Sequence, residues 1–339
     1  MHSINYTIPP YADSLLLGHI VVSAVLSTLL LSCVFYLLVY RTPRQTGRYN
    51  WLLIHVQIWI SIVALNNGVL FIGFPAFPLI GGQCKGLLCA IGGHPHYGVV
   101  ILIATLFGTG VSLLLCFLYR FQNVLLPGSR WKMKPISWLS VVLATYVFAI
   151  LIPIAITASA KQELDRGRQY VELMHPGMLW LFERKGAFVF DGRGSKKVRF
   201  GLYYFIFVAF IMIGSFIILP SATFAYLKSK ESVKSNKSRV WQMKMLRRLL
   251  IQSLLPLSTL AVPALSYLYG WMTWSLDYHW FYPCTAAQHL HPAMHSIVQI
   301  LSTRHYREII IRRFVKGEGS EANKRMKERV ESSVMRTIV

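Results

Sequence analysis

The stretch SLLLGHIVVSAVLSTLLLSCVFYLLVY, residues 14–40, holds no Asp, Glu, Lys or Arg, and it then meets Arg41, Arg44 and Arg48. A hydrocarbon core about 30 Å thick needs roughly 20 apolar residues in a helix. The stretch is therefore long enough to cross a bilayer, and the arginines stand where a headgroup surface would stop it. Six further charge-free runs follow at 51–74, 97–119, 136–157, 201–227, 249–274 and 284–303. Gln288, His289, His291, His295 and Gln299 make the last the most polar of the seven. The fold expected is an all-α membrane protein, a seven-transmembrane helix bundle forming one domain (14–303). Residues 1–13 precede it, and a charged, disordered tail occupies 317–339.

The remainder of the composition agrees. Of 339 residues, 54% are hydrophobic and 14% charged, against about 25% charged in soluble domains. The net charge of +22 would suit a nucleic-acid binder if it were spread over a wet surface. Instead it partitions by loop, +19 on one side of the seven runs and +3 on the other. Basic loops stay inside, so the N-terminus lies outside and the C-terminus inside, and nucleic acid is excluded as a partner. Met1 to Asp13 has no basic flank for a cleaved signal peptide. Asn5-Tyr6-Thr7 is a glycosylation sequon on the outer side, and Asn236-Lys237-Ser238 is a second on the inner side.

Intramembrane charge marks ion and proton pathways, and these spans carry none apart from histidine. A pump, a proton-coupled carrier or a charge-lined channel therefore has little to work with, which leaves a receptor, a scaffold or a metal enzyme. His291 and His295 share a helix face, with His289 near and His55 in the second span. They allow a second reading, a seven-helix membrane zinc hydrolase. That chemistry wants three ligands and a carboxylate base, and no span supplies the carboxylate. The receptor reading requires no metal and no cofactor.

Cys84, Cys89 and Cys284 lie on the oxidising outer side, where a bridge can form. Three thiols leave open Cys84–Cys89 or either one with Cys284. Cys33 and Cys116 read as packing residues inside spans. The long outer loop, 158–200, has no cysteine. Its Ala187-Phe188-Val189-Phe190 run before Asp191-Gly192 signals a hairpin, with 178–182 as the partner strand and the pair as a lid. At the inner end of span three stands Tyr119-Arg120-Phe121, where the arginine reaches either headgroups or the inner ends of spans five and six. Tyr306, Ile310 and Phe314 recur among Arg304, Arg307, Arg312, Arg313 and Lys316. They predict an amphipathic juxtamembrane helix over 304–316 on anionic inner-leaflet lipid. Prolines 153, 220, 256, 263 and 292 fall inside spans, and Pro256 and Pro263 predict a hinge in span six.

Several of these segments together resemble the nematode serpentine chemoreceptors, most closely class I, with class H next. They are His19 in span one, Tyr49-Asn50-Trp51-Leu52-Leu53, and Pro75-Ala76-Phe77-Pro78-Leu79-Ile80-Gly81-Gly82 leading to Gly86. Cys116-Phe117-Leu118-Tyr119-Arg120-Phe121-Gln122, His291-Pro292-Ala293-Met294-His295-Ser296 and Tyr306-Arg307 complete the set. The resemblance implies a rhodopsin-like, G-protein-coupled receptor for odorants or pheromones in the plasma membrane of a sensory cilium. It also implies transduction roles for Arg120 at the end of span three and for Pro292 in His-Pro-x-x-His. The chain departs from the pattern in three places. No acid precedes Arg120, His305 stands where proline is usual, and span two has no acid. The ligand cavity is then expected among the outer ends of spans three, five, six and seven. Trp271, Trp274, Tyr278, Trp280 and Gln288 would line it for a small neutral ligand, and a heterotrimeric G protein would meet the basic loop 228–248.

Overall fold

The computed structural model describes residues 10–42, 47–76, 79–126, 128–160, 166–192, 194–229, 236–273 and 278–311. Asn5, Trp274 and the charged tail lie outside the described residues. Seven long helices are found among them. α1 is Pro10–Tyr36, running on through a wide π turn at Leu37–Arg41, and α2 is Arg48–Leu65 with a π turn at Asn66–Leu70. α3 is Pro95–Val124; α4 is built from Pro135–Tyr146, a π turn at Val147–Leu151 and Ile152–Ser159. α5 is Lys196–Lys228, α6 combines Asn236–Pro256, Leu257–Ala261 and Val262–Thr273, and α7 is Tyr278–Ser302. All but α7 are long and apolar enough to cross a membrane; in α7 the buried histidines and glutamines dilute the same length.

Local chemistry sets several boundaries. Pro95 and Pro135 open α3 and α4, where a missing N–H costs nothing. Ser195 caps α5 by accepting from the Val198 amide at 3.3 Å. Two of the π turns also have a proline cause. Pro153 has no N–H for the Ala149 carbonyl and Pro263 none for that of Thr259, so the chain widens at Val147–Leu151 and Leu257–Ala261.

α3 is the most buried of the six apolar helices, packed on α2, α4 and α5, while α1 lies along α7. The inner half is filled by Leu31, Tyr49, Val56, Ile60, Leu113, Phe117, Leu246 and Leu249 from α1, α2, α3 and α6.

The outer end carries a three-stranded antiparallel sheet, β1 (Gly73–Pro75), β2 (Ile80–Cys84) and β3 (Ala187–Phe190), in that order. This corrects the expected hairpin. Residues 178–182 lie in a 3-10 segment, Pro176–Glu183, and β3 instead pairs with β2 from the loop between α2 and α3, Gly81 opposite Val189 and Gly82 opposite Phe188. The rest of the long loop folds around its own core of Tyr170, Val171, Met178, Leu181 and Val189, which also takes in Ala76 and Leu79. Pairing across the two loops is possible because the two residues at the centre of the pairing in β2 are glycines. A Cβ on Gly81 would overlap the Phe188 carbonyl oxygen, and one on Gly82 that of Phe74.

At the inner end, residues 304–311 are helical. Tyr306 is buried, its hydroxyl 2.7 Å from Thr42 Oγ1, and His305 Nε2 lies 2.8 Å from the Arg41 carbonyl. Burial pushes the Tyr306 phenol upward, with the Thr42 contact opposing, so it stays a neutral group. Tyr306 thus faces α1 rather than lipid, and residues 312–316 lie outside the described part.

Candidate functional site

A cavity of about 320 Å³ occupies the outer half of the bundle, within the range of small-molecule sites. α3, α5, α6 and α7 line it as expected; α2 adds Val63 and Asn67, and the sheet adds Phe188, Phe190, Ile80 and Gly81 as its roof. No Asp, Glu, Lys or Arg is among the lining residues. Thr105 and Thr109 of α3 and Ser253 of α6 bring hydroxyls to the wall, and a further polar group lies at one edge, beside α7. There the Tyr267 hydroxyl is 2.8 Å from Thr285 Oγ1, and His289 donates from Nδ1 to the Thr285 carbonyl at 2.7 Å. His289 Nε2 faces the Asn67 carbonyl without a hydrogen bond of good geometry. Gln288 is half-buried in the wall, and its side-chain amide makes no hydrogen bond to any described residue. A free amide in an apolar chamber is the group that would orient a ligand.

Of the expected lining, Trp271 and Gln288 are in the wall. Trp280, in the first turn of α7, is 69% exposed and is not among the residues of the wall. Tyr278 begins that helix, but its side chain, like Trp274, lies outside the described part.

Below the cavity the wall becomes the π turn of α6. Leu257, Leu260 and Ala261 belong to both wall and turn, with Pro256 just before it, and Thr259 Oγ1 lies 2.7 Å from His291 Nδ1 in α7. His291 and His295 are wholly buried, with ring centroids 5.9 Å apart. Pro292 follows His291 in the same buried seam. Any shift of the cavity wall must therefore move a turn that already lacks a regular backbone ladder.

The inner end of the same machinery is Arg120. It is 3% exposed and its Nε and Nη2 make no hydrogen bond to described residues. Its Cζ lies 3.6 Å from the ring centroid of Tyr49 in α2 and 5.5 Å from that of Trp241 in α6. Tyr119 stacks on Tyr49 at 6.2 Å. Among the described residues Arg120 has no acidic partner but two aromatic ones, Tyr49 in α2 and Trp241 in α6. Sequence reading missed Tyr49 and Trp241 as its partners; the signal present was a lone tryptophan among the bases of 228–248. On the same surface Arg307 belongs to the 304–311 helix.

Three outer features complete the site. Asp13, at the start of α1, accepts from Lys85 at 3.2 Å, Arg184 at 3.1 Å and Tyr282 at 2.8 Å, joining both outer loops to α1 and α7. Cys84 is bonded to Cys89, and Cys284 is a free thiol. The bond closes a loop too short to tether the lid, so β2–β3 pairing does that work. Cys89→Ser is expected to cost about 2 kcal/mol from loop closure, lowering the Tm of purified protein without preventing folding.

The histidines do not assemble a metal site. His55 Nε2 already takes Trp59 Nε1 at 3.0 Å and the Tyr146 hydroxyl at 2.5 Å, His291 Nδ1 is engaged by Thr259, and among the described residues no three His, Cys, Asp or Glu converge. The zinc-hydrolase reading has no support.

Against solved structures the chain is similar to squid rhodopsin, with a TM-score of 0.54 at 15% sequence identity over 91% of this chain and 87% of that one. That likeness establishes the seven-helix receptor fold. No curated protein matches. The family model for the serpentine type 7TM GPCR chemoreceptor Srh matches residues 13–316, nearly the whole of what is described above. The chain belongs to the Srh family of serpentine seven-transmembrane, G-protein-coupled chemoreceptors, and is a multi-pass membrane receptor rather than an enzyme.

Proposed function

We propose that this receptor is an olfactory or pheromone receptor of a sensory cilium, and that its ligand is a small neutral molecule held in the charge-free cavity. The observation that carries the ligand class is the wall itself, free of Asp, Glu, Lys and Arg and mostly apolar, with Gln288 at the α7 edge offering an amide that makes no hydrogen bond to described residues. An ion entering such a chamber would lose its hydration with no countercharge to replace it. An apolar molecule with one hydrogen-bonding group loses nothing comparable. The motifs quoted from the sequence read closest to class I among the serpentine receptors and support a nematode origin; the family match supports the kinship shared by classes I and H.

Ligand binding would act by preferring one of two helix arrangements. The chain of contacts favours α6 as the mobile part: cavity wall, proline-flanked π turn, then Trp241 over Arg120. A heterotrimeric G protein would meet the basic inner surface, with anionic inner-leaflet lipid beside 304–316.

A screen of neutral volatile and lipid-like compounds against anionic ones, read by G-protein nucleotide exchange, tests this. Neutral agonists are expected. A saturable, strongly anionic agonist would overturn the ligand class. For any neutral agonist with a polar group, Gln288→Leu is expected to raise the half-maximal concentration about tenfold, the equivalent of one hydrogen bond of about 1.4 kcal/mol. An unchanged dose–response curve would remove Gln288 from the binding role.

A further inference from the structure

The cavity has a roof but an incomplete side wall. On the water side, Phe188, Phe190 and Ile80 of the sheet close it, and the Asp13 contacts to Lys85, Arg184 and Tyr282 fasten that sheet to α1 and α7. The side between α5 and α6 is different. α5 packs appreciably only on the inner segment of α6, Asn236–Pro256; neither Leu257–Ala261 nor Val262–Thr273 packs on it to a comparable extent. α5 is also the least buried of the six apolar helices. Across that gap the cavity is lined by Phe205, Ile206 and Ala209 from α5 and by Ala261, Ala264 and Leu265 from α6. Three of the six are alanines, and Leu265 is 38% exposed on the side where lipid would lie.

From this we infer that the ligand enters from the outer leaflet, between α5 and α6, and not from water through the lid. The inference rests on the reading of this cavity as the ligand site, and it narrows the ligand class to neutral molecules that partition into membranes. The bilayer would then act as a concentrating phase, enriching a ligand about fourfold for each methylene group it buries. An apolar side entrance opens no strand edge to lipid, because both flanking segments are helical, α6 with its π turn. Opening the roof instead would break strand pairing and the Asp13 contacts together.

A thiol placed in the cavity tests the route without any knowledge of the ligand. Thr109 lines the cavity and is fully buried, so Thr109→Cys is introduced in a background where Cys33, Cys116 and Cys284 are alanine. The receptor is held in nanodiscs and treated either with neutral N-ethylmaleimide or with a charged trimethylammonium-ethyl methanethiosulfonate. The neutral reagent is expected to label the thiol and the charged one to label it at least tenfold more slowly. Ala209→Trp or Ala261→Trp, filling the gap from either helix, should slow neutral labelling tenfold or more, and the milder Ala209→Phe should slow it less. Asp13→Asn, loosening the roof, should change it by less than twofold.

Labelling unaffected by the gap variants, or accelerated tenfold by Asp13→Asn alone, overturns the side entrance. Equal labelling by the charged reagent in the parent overturns it as well. The assay needs neither agonist nor G protein. A gap-sensitive thiol with no agonist found would fault the receptor pharmacology alone, and a gap-insensitive thiol in a responsive receptor would fault the route alone.

Discussion

Arg120→Ala removes ligand-stimulated G-protein activation, by tenfold or more in nucleotide exchange, while surface expression is kept. The expectation follows from how the side chain is held. A guanidinium taken out of water costs several kcal/mol, and no carboxylate among the described residues repays it. A well-desolvated ring contact returns about 2 kcal/mol, and the one to Tyr49, 7% exposed, qualifies. The one to Trp241, 46% exposed and 5.5 Å away, is nearer the 0.5–1 kcal/mol of wet sites. Two of the guanidinium nitrogens, Nε and Nη2, make no hydrogen bond to described residues. The resting bundle thus keeps a poorly satisfied cation at the inner end of α3. It would gain hydrogen bonds as soon as α6 swung away and a partner's carbonyl or carboxylate groups arrived. Trp241→Leu should act in the opposite sense. Releasing 0.5–1 kcal/mol from the α3–α6 contact raises ligand-independent exchange about two- to fivefold. Should Arg120→Ala raise basal exchange and keep the full agonist maximum, the arginine would be a latch with no part in docking.

The contrast between the latch and the lid shows what could be read from residues alone. The seven helices were legible because charge is so costly in hydrocarbon that its absence over 14–40 and six other runs has few explanations. Arg120 was legible as a lone cation closing such a run, and Pro256 and Pro263 as the place where α6 loses its regular ladder, because proline leaves carbonyls without donors. Its ring partners were not, since Tyr49 and Trp241 stand 71 and 121 residues away in sequence and meet it only through helix packing. The lid failed for a related reason. Ala187–Phe190 carries a strand signal, but the partner strand, Ile-Gly-Gly-Gln-Cys, has almost no β propensity of its own. It is a strand because two neighbouring backbones need the space its glycines leave. Trp280 illustrates the opposite error: an aromatic at the right depth was assigned to the wall, and it is not among the residues that line it.

The same glycines carry the second large effect. Gly81→Val is expected to stop the receptor reaching the cell surface, or to lower strongly the Tm of what is purified. A Cβ there would meet backbone on the facing strand, the Phe188 carbonyl and the Val189 Cα, and backbone cannot swing aside as a flexible side chain does. β2 and β3 must part, taking with them the pairs from Ile80–Phe190 to Gln83–Ala187. Phe188 and Phe190, 8% and 6% exposed, would then lose their places over the cavity. Burying a phenylalanine contributes about 1.5–3 kcal/mol, so two of them approach the 5–15 kcal/mol by which a whole domain is stable. Gly18→Ala is the control: nothing lies within 4 Å of its added Cβ in the middle of α1, and removing a helical glycine should stabilise by about 0.5–1 kcal/mol. A Gly81→Val receptor with wild-type Tm would mean that β2 and β3 do not pair. The cavity would then stand open to water, and the case for a membrane-partitioning ligand would lose its roof along with it.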